Sequence, residues 1–112
     1  MRKISPKVKE ELAKEKNICA RSMDKNCAGR ITWEHTLIYA GKQIDEVWAI
    51  IHLCEYHHAV NNYQDRGELN KERNVWIALN RATDKDLEKY SKSIDYKRMK
   101  VNLNNKYGIY KQ

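Results

Sequence analysis

The chain has no phenylalanine, no internal repeat and no low-complexity segment. No apolar run approaches the roughly 20 residues that a membrane-spanning helix needs. The segment MRKISPKVKEELAKEK contains no apolar stretch of the kind that a signal peptide carries. We therefore expect a soluble, cytoplasmic protein. With 112 residues, three Trp and seven Tyr, the chain is long enough for one small domain with a thin core.

Cysteine is scarce, and its odd count excludes a complete set of disulfides. Three cysteines together with one histidine make four ligand-type side chains, namely Cys19, Cys27, Cys54 and His57. Cys54 and His57 have the spacing C-x-x-H, which puts both side chains on one face at the start of a helix. Seven residues separate Cys19 from Cys27, more than the two to four usual in zinc knuckles. We predict a structural zinc site, with a buried free Cys and surface His residues as the alternative.

The net charge of +7 is unevenly distributed. Residues 1–34 carry nine Lys/Arg and five Asp/Glu, residues 35–70 carry two and five, and residues 71–112 carry eleven and five. The basic flanks suit a phosphate backbone, and the acidic middle, which holds all four His, suits a divalent cation; solubility alone is the alternative. We select as candidate nucleic-acid contacts the basic side chains Arg30, Lys42, Arg66, Lys71, Arg73 and Arg81.

The hydrophobic patterning predicts an α+β fold whose centre is a strand-strand-helix unit. We expect a basic N-terminal arm (1–17) with a short helix opened by Pro6, a central domain (18–94) and a basic, poorly patterned C-terminal tail (95–112). The predicted elements of the central domain are a loop at 18–30, strands at 30–34 and 47–53, a turn near Gly41, helices at 55–63, 71–82 and 84–93, and a loop at 65–70. The last of these helices is predicted from Thr83 and Asp86, which resemble a capping box. We interpret His52, within the second strand, as a packing or hydrogen-bonding residue.

A second group of polar residues has the chemistry of phosphodiester hydrolysis. Glu34 and His35 end the first strand, and His58 and Asn62 share a helix face at i and i+4. His58 points away from the face of His57, so the helix offers two histidines to two different sites. Hydrolysis needs a neutral imidazole that takes a proton from the attacking water, a role that fits His35. It also needs a divalent ion, for which Glu34, His58 and Asn62 are suitable ligands.

The run GRITWEH, followed after a turn by LCEYHH, resembles the HNH (His-Me finger, ββα-metal) endonucleases over residues 18–63. The resemblance implies a zinc-stapled ββα-metal core and a nuclease whose catalytic ion is magnesium or manganese. It also implies roles for five residues: Glu34 as the metal-binding acid, His35 as the general base, His58 as the final metal-binding His, and Cys54 with His57 as half of the zinc knuckle.

The chain departs from that family at two positions. Val47-Trp48-Ala49 occupies the region where the family carries an Asn that orients the base, so a backbone carbonyl or another residue must take this role. The acid is Glu34, where Asp is more common. A zinc-stabilised nucleic-acid-binding module without catalysis is therefore the alternative function, and a structural protein that binds only zinc is another.

A finer resemblance links the chain to phage recombination nucleases. The segments ICARS, CAGRITWEH, AGKQI and WIALNRAT are similar to the RecA-dependent Ref group. This resemblance implies a DNA substrate, a role in phage or mobile-element recombination in the host cytoplasm, and a recombinase filament as a protein partner.

Overall fold

Two antiparallel strands followed directly by a helix lie at the centre of this α+β fold. The computed structural model describes residues 4–39, 41–59, 67–91 and 94–110, without the side chains of 67–70. Its elements are α1 (Pro6–Lys14), β1 (Ile31–His35), β2 (Ile38–Tyr39), β3 (Lys42–Gln43), β4 (Ile50–Cys54), α2 (Glu55–Ala59), α3 (Gly67–Arg81), α4 (Asp84–Lys89) and α5 (Tyr96–Tyr107). None of the helices described here combines the length and apolarity that a bilayer crossing requires.

The pairing of β1 with β4 determines where the polar residues of both strands lie. Ile31 pairs with Cys54 at one end of the ladder and His35 pairs with Ile50 at the other. Every residue of β4 is buried, and α2 begins at the residue after Cys54. The connection between the strands contains the short β2–β3 hairpin, which turns at Gly41 with a φ of 79°. Cys54 and the first turn of α2 therefore lie beside the start of β1.

Three predicted boundaries are wrong. Residues 47–49 form a 3₁₀ turn before β4, because Trp48 is buried there and its ring packs edge-on against Tyr90. Helix α3 begins at Gly67 and includes residues 67–70, which were predicted as part of a loop around Gly67. Helix α4 has the predicted capping box at Thr83 and Asp86 but ends at Lys89.

The C-terminal segment is part of the core and is not an unpatterned tail. Asp95 caps α5 by accepting a hydrogen bond from the backbone N–H of Arg98 at 3.1 Å. Tyr96 and Leu103 of this helix are buried at 1% and 8% exposure. These two positions, one heptad apart in a helix rich in Asn and Lys, make an apolar stripe too thin to recognise in the sequence. The Trp76 indole N–H donates to the carbonyl of Gly108, the C-cap residue of α5, at 2.6 Å. This hydrogen bond connects the end of α5 to α3.

The predicted N-terminal helix is confirmed as α1, and it is packed against the domain. Val8 and Leu12 are buried and form a second small core with Ile50. Ser5 caps the helix, and its backbone N–H donates to the Asp45 carboxylate at 3.1 Å. The basic residues of α1, which are Lys7, Lys9 and Lys14, are therefore held on the surface of the domain.

Substituting Leu103 with alanine tests whether α5 is a structural element. We expect Leu103→Ala to lower the free energy of unfolding by about 2–5 kcal/mol, because the change leaves a cavity between α5 and the core. Val101→Ala on the same helix is the matched control, since Val101 is 57% exposed. Urea unfolding of both variants measures the difference. Equal stabilities would contradict the assignment of α5 to the core.

Candidate metal centre and active site

Four predicted metal ligands meet in one cluster. The sulfur atoms of Cys19, Cys27 and Cys54 lie 3.5, 3.6 and 3.2 Å from Nδ1 of His57. All four ligand atoms lie within 4.8 Å of one another, so the group could hold one metal ion. Cys54, at the end of β4, and His57, in the first turn of α2, supply half of this cluster. Cys19 and Cys27 supply the other half from the loop before β1.

The spacing of these atoms fits a tetrahedral ion of ordinary size. An ion with metal–sulfur bonds of about 2.3 Å and a metal–nitrogen bond of about 2.05 Å places N and S about 3.6 Å apart. The three observed distances from Nδ1 to sulfur, 3.2–3.6 Å, are close to this value. A cluster of three sulfurs and one imidazole nitrogen therefore has the dimensions of a metal centre with four protein ligands.

The electrostatics of the cluster favour a bound cation. Desolvation, followed by hydrogen bonds and charge repulsion from Cys19 and Cys54, raises the pKa of Cys27 to about 12. Burial opposes ionisation of Cys54 too, but hydrogen bonds from the backbone of His57 and Ala28 lower its thiol pKa. Burial, aided by the charge of Arg21, lowers the pKa of His57 and keeps its imidazole neutral, the form that binds metals. Since the thiols resist ionising together, a positive ion among them is what would stabilise their charged forms.

The loop before β1 brings Cys19 and Cys27 to one place although seven residues separate them in the sequence. Positive φ angles, a hydrogen bond to β4 and a close approach to α2 hold the loop in this shape. Lys25 and Asn26 both adopt positive φ angles, 62° and 63°, which turn the chain back toward α2. The Ala20 N–H donates to the His52 carbonyl at 2.7 Å, which ties the loop to β4. Gly29, at φ 84°, approaches α2 so closely that a Cβ would lie 2.7 Å from Cβ of Glu55. Any larger residue at position 29 would therefore displace the loop.

A second polar cluster lies between β1 and α2, beside the first. His58 Nε2 is 3.4 Å from Oε2 of Glu34, and His58 Nδ1 is 2.9 Å from Oγ1 of Thr32. Thr32 and Glu34 share a face of β1 because strand side chains alternate. The Glu34 side chain is 8% exposed and that of His58 is 31% exposed, so the pair is open to solvent through the imidazole. The neighbouring residues His57 and His58 thus belong to two different clusters, as the sequence predicts.

Glu34 and His35 line one small cavity with residues from three other segments. Its volume is about 200 Å³, compared with about 600 Å³ for a cleft near His52. Gln43 of β3 and Lys71 and Asn74 of α3 complete its polar wall. His35 and Asn74 are buried at 9% and 2% exposure, and Lys71 is exposed. The end of β1 therefore borders a small space with several polar side chains.

The remaining predicted contact residues are dispersed. Arg73 pairs with Asp24 at 2.6 Å, and Arg81 pairs with Glu15 at 2.8 Å. These two arginine side chains are 22% and 12% exposed, and their ion pairs connect α3 to segments near the start of the chain. Little of their surface is therefore accessible to a phosphate. Arg30 and Lys42 are exposed, while Asn62 and Arg66 lie outside the described residues. His52 is buried with Nε2 3.1 Å from Glu15, which agrees with the hydrogen-bonding role predicted for it.

Two residues at these sites were missed in the sequence. Thr32 stands two residues before Glu34 in the strand, so alternation alone could have placed it on the face toward α2. Asn74 lies in the middle of α3, and nothing in the local pattern indicates that it lines the cavity with His35. The side of α3 that carries Asn74 therefore borders the same cavity as the end of β1.

Comparison of the chain with protein-family models, curated proteins and solved structures gave no match. Its function therefore has to be inferred from the residues and their geometry.

Proposed function

We propose that this protein is a metal-dependent endonuclease of the HNH type that hydrolyses phosphodiester bonds of nucleic acid, with DNA as the expected substrate. One observation carries the proposal. A single strand-strand-helix unit presents His57 to three sulfurs and His58 to Glu34, while Glu34 shares a cavity with His35. A protein that only binds nucleic acid has no need for a second acid–histidine pair beside its metal cluster.

The sulfur-rich cluster is proposed as a structural zinc site. Zinc prefers Cys and His ligands in tetrahedral geometry, and four protein ligands leave no position for a substrate. The role is consistent with the place of the cluster, since Cys19 and Cys54 are buried in the main core. In this position the ion would hold the loop before β1 against α2 and so keep Glu34 near His58.

The second cluster is proposed as the reaction site. Glu34 and His58 supply an oxygen and a nitrogen 3.4 Å apart, a separation that two ligands of one small divalent ion adopt. A magnesium or manganese ion held there would stabilise the negative charge that develops on the phosphate and the leaving oxygen. His35 lies next to Glu34 in the chain and lines the same cavity, so it is the residue that we propose as the acceptor of a proton from the attacking water.

Lys71 is proposed as the phosphate contact of this site. It lines the cavity together with Glu34 and His35, and no carboxylate in the described ranges lies within ion-pair distance of its ammonium group. Other lysines of the helices are already paired, for example Lys89 with Glu46 and Lys106 with Glu72. Among the residues that the structure describes, no Trp or Tyr side chain lines the cavity. The site therefore suits the backbone phosphate more than a base, which predicts cleavage with little sequence preference.

A cleavage assay tests the proposed function directly. The purified chain is incubated with supercoiled plasmid, linear duplex and single-stranded DNA, with magnesium, manganese or excess EDTA. We expect cutting of at least one substrate that requires an added divalent ion. Binding of DNA without cutting of any form, under both ions, would instead support the non-catalytic module.

Substituting Lys71 with glutamine tests the phosphate contact. We expect Lys71→Gln to weaken DNA binding for all sequences and to reduce the slope of log K against log salt by about one, since one phosphate contact is lost. Lys85→Gln is the control, because Lys85 is exposed on α4 and does not line the cavity. Fluorescence anisotropy over a series of salt concentrations measures both slopes. An equal slope for Lys71→Gln and wild type would remove Lys71 from the interface.

A further inference from the structure

The hydroxyl group of Thr32 lies between the backbone of β4 and the ring of His58. Its oxygen is 2.9 Å from the carbonyl oxygen of Leu53, its partner in the strand ladder, and 2.9 Å from Nδ1 of His58. Glu34, two residues further along the same face of β1, is 3.4 Å from the other ring nitrogen, Nε2. One face of one strand therefore contacts both nitrogens of this imidazole.

The number of protons at these contacts determines which nitrogen carries hydrogen. A threonine hydroxyl has one proton to donate and two lone pairs that accept. The Leu53 carbonyl can only accept, so the hydroxyl proton points toward it. Nδ1 of His58 must then donate its own proton to the threonine oxygen, because that oxygen has no second proton. A neutral imidazole has a single N–H, which leaves a lone pair on Nε2, directed to Glu34.

We propose that Thr32 is a positioning residue that holds His58 in the Nδ1–H tautomer and so presents the Nε2 lone pair as a metal ligand beside Glu34. A ligand histidine commonly donates its other N–H to a neighbouring acceptor, which orients the ring and strengthens the ligand. The ligand half of this inference rests on the proposed function, whereas the tautomer can be observed without any added divalent ion. The competing arrangement is a doubly protonated His58 in an ion pair with Glu34.

The tautomer is measured by two-bond ¹H–¹⁵N correlation spectra of the full chain with ¹⁵N-labelled histidine, at about pH 8, where an ordinary imidazole is neutral. In wild type we expect a protonated Nδ1 and an unprotonated Nε2 at His58. Thr32→Val removes the acceptor of Nδ1, so the proton should move to Nε2 and point at the Glu34 carboxylate. Thr32→Ser keeps the hydroxyl and should restore the wild-type pattern.

Thr36→Val is the matched control for the spectra. The Thr36 hydroxyl donates to the Ala49 carbonyl at 2.6 Å in a similar position, whereas the hydroxyl at His58 Nδ1 is that of Thr32. We expect the His58 signals of Thr36→Val to be unchanged. A wild-type spectrum with a protonated Nε2, or with both nitrogens protonated, would overturn the inference even if no Thr32 variant folds.

Binding of Mn²⁺ supplies a second readout that does not depend on cleavage. The signal of free Mn²⁺ in electron paramagnetic resonance gives its Kd, which we expect Thr32→Val to raise about 10- to 100-fold and Thr32→Ser to leave near wild type. If Mn²⁺ binds wild type and Thr32→Val equally, Thr32 has no positioning role, although the proposed function stands. If wild type binds no Mn²⁺ and cuts no DNA, the proposed function fails and the ligand half of the inference fails with it.

Discussion

Replacing His35 with alanine is expected to slow DNA cleavage by about 10²- to 10⁴-fold, the usual effect of losing a general base. His35 lines the same cavity as Glu34, and the proposed mechanism requires it to take a proton from water as the phosphate is attacked. Single-turnover cleavage at saturating protein measures the chemical step apart from binding. DNA affinity, measured by anisotropy, should change little, because His35 is 9% exposed and contributes little of the surface that a duplex would touch.

His35→Gln accompanies the alanine variant because His35 is buried. Glutamine keeps a polar group of similar length but cannot act as a base near neutral pH, so it should lose activity while packing more closely to wild type. A melting temperature within a few degrees of wild type would show that the fold is intact. If His35→Ala cuts as fast as wild type, or if both variants unfold, His35 is structural and the nuclease proposal loses its main support.

Variants of the two proposed ligands should differ from His35→Ala in their dependence on metal. Glu34→Ala and His58→Ala remove one ligand each, so their defect should be partly reversed by higher magnesium or manganese. His35→Ala should stay slow at every metal concentration. A metal titration of all three variants in the cleavage assay makes this comparison, and identical metal dependence for the three would argue against separate roles for base and ligands.

Removal of the zinc ion that we propose for the Cys/His cluster is expected to have the largest effect on stability. Binding of zinc to a site with Cys and His ligands is coupled to folding and is worth about 10–16 kcal/mol in small zinc domains. We expect about one zinc per chain by elemental analysis, and loss of the cooperative thermal transition after treatment with a strong chelator. Cys54→Ser should behave in the same way, because Cys54 is 1% exposed and ends β4 inside the core.

The adjacent histidines provide the matched control for this experiment. His57→Ala should lose zinc and stability, whereas His58→Ala should keep both, because only His57 lies within the sulfur cluster. A Cys54→Ser protein that retains a full equivalent of zinc and the wild-type melting temperature would contradict the assignment. Equal zinc loss in the two histidine variants would show that the clusters are not separate.

Local spacing in the sequence predicts the features of this protein that arise within one or two turns of chain. The C-x-x-H spacing puts Cys54 and His57 on one helix face wherever the helix lies, and the adjacent His58 necessarily points elsewhere. The capping box at Thr83 and the proline at the start of α1 are likewise local, and the structure contains both. These features depend on backbone geometry that a few neighbouring residues determine.

Tertiary structure decides the features that depend on contacts between distant segments. The charges of Arg73 and Arg81 suggest an open basic face, but Asp24 and Glu15, 49 and 66 residues away, neutralise them in ion pairs. The apolar residues of α5 are too few to predict a core helix from the sequence, and only the structure shows that Tyr96 and Leu103 are buried in the core. Lys71 and Asn74 reach the cavity of His35 because α3 packs beside the strands, and no periodicity encodes that approach. The physical reason is that a residue type specifies which interactions are available, while long-range packing selects the partner.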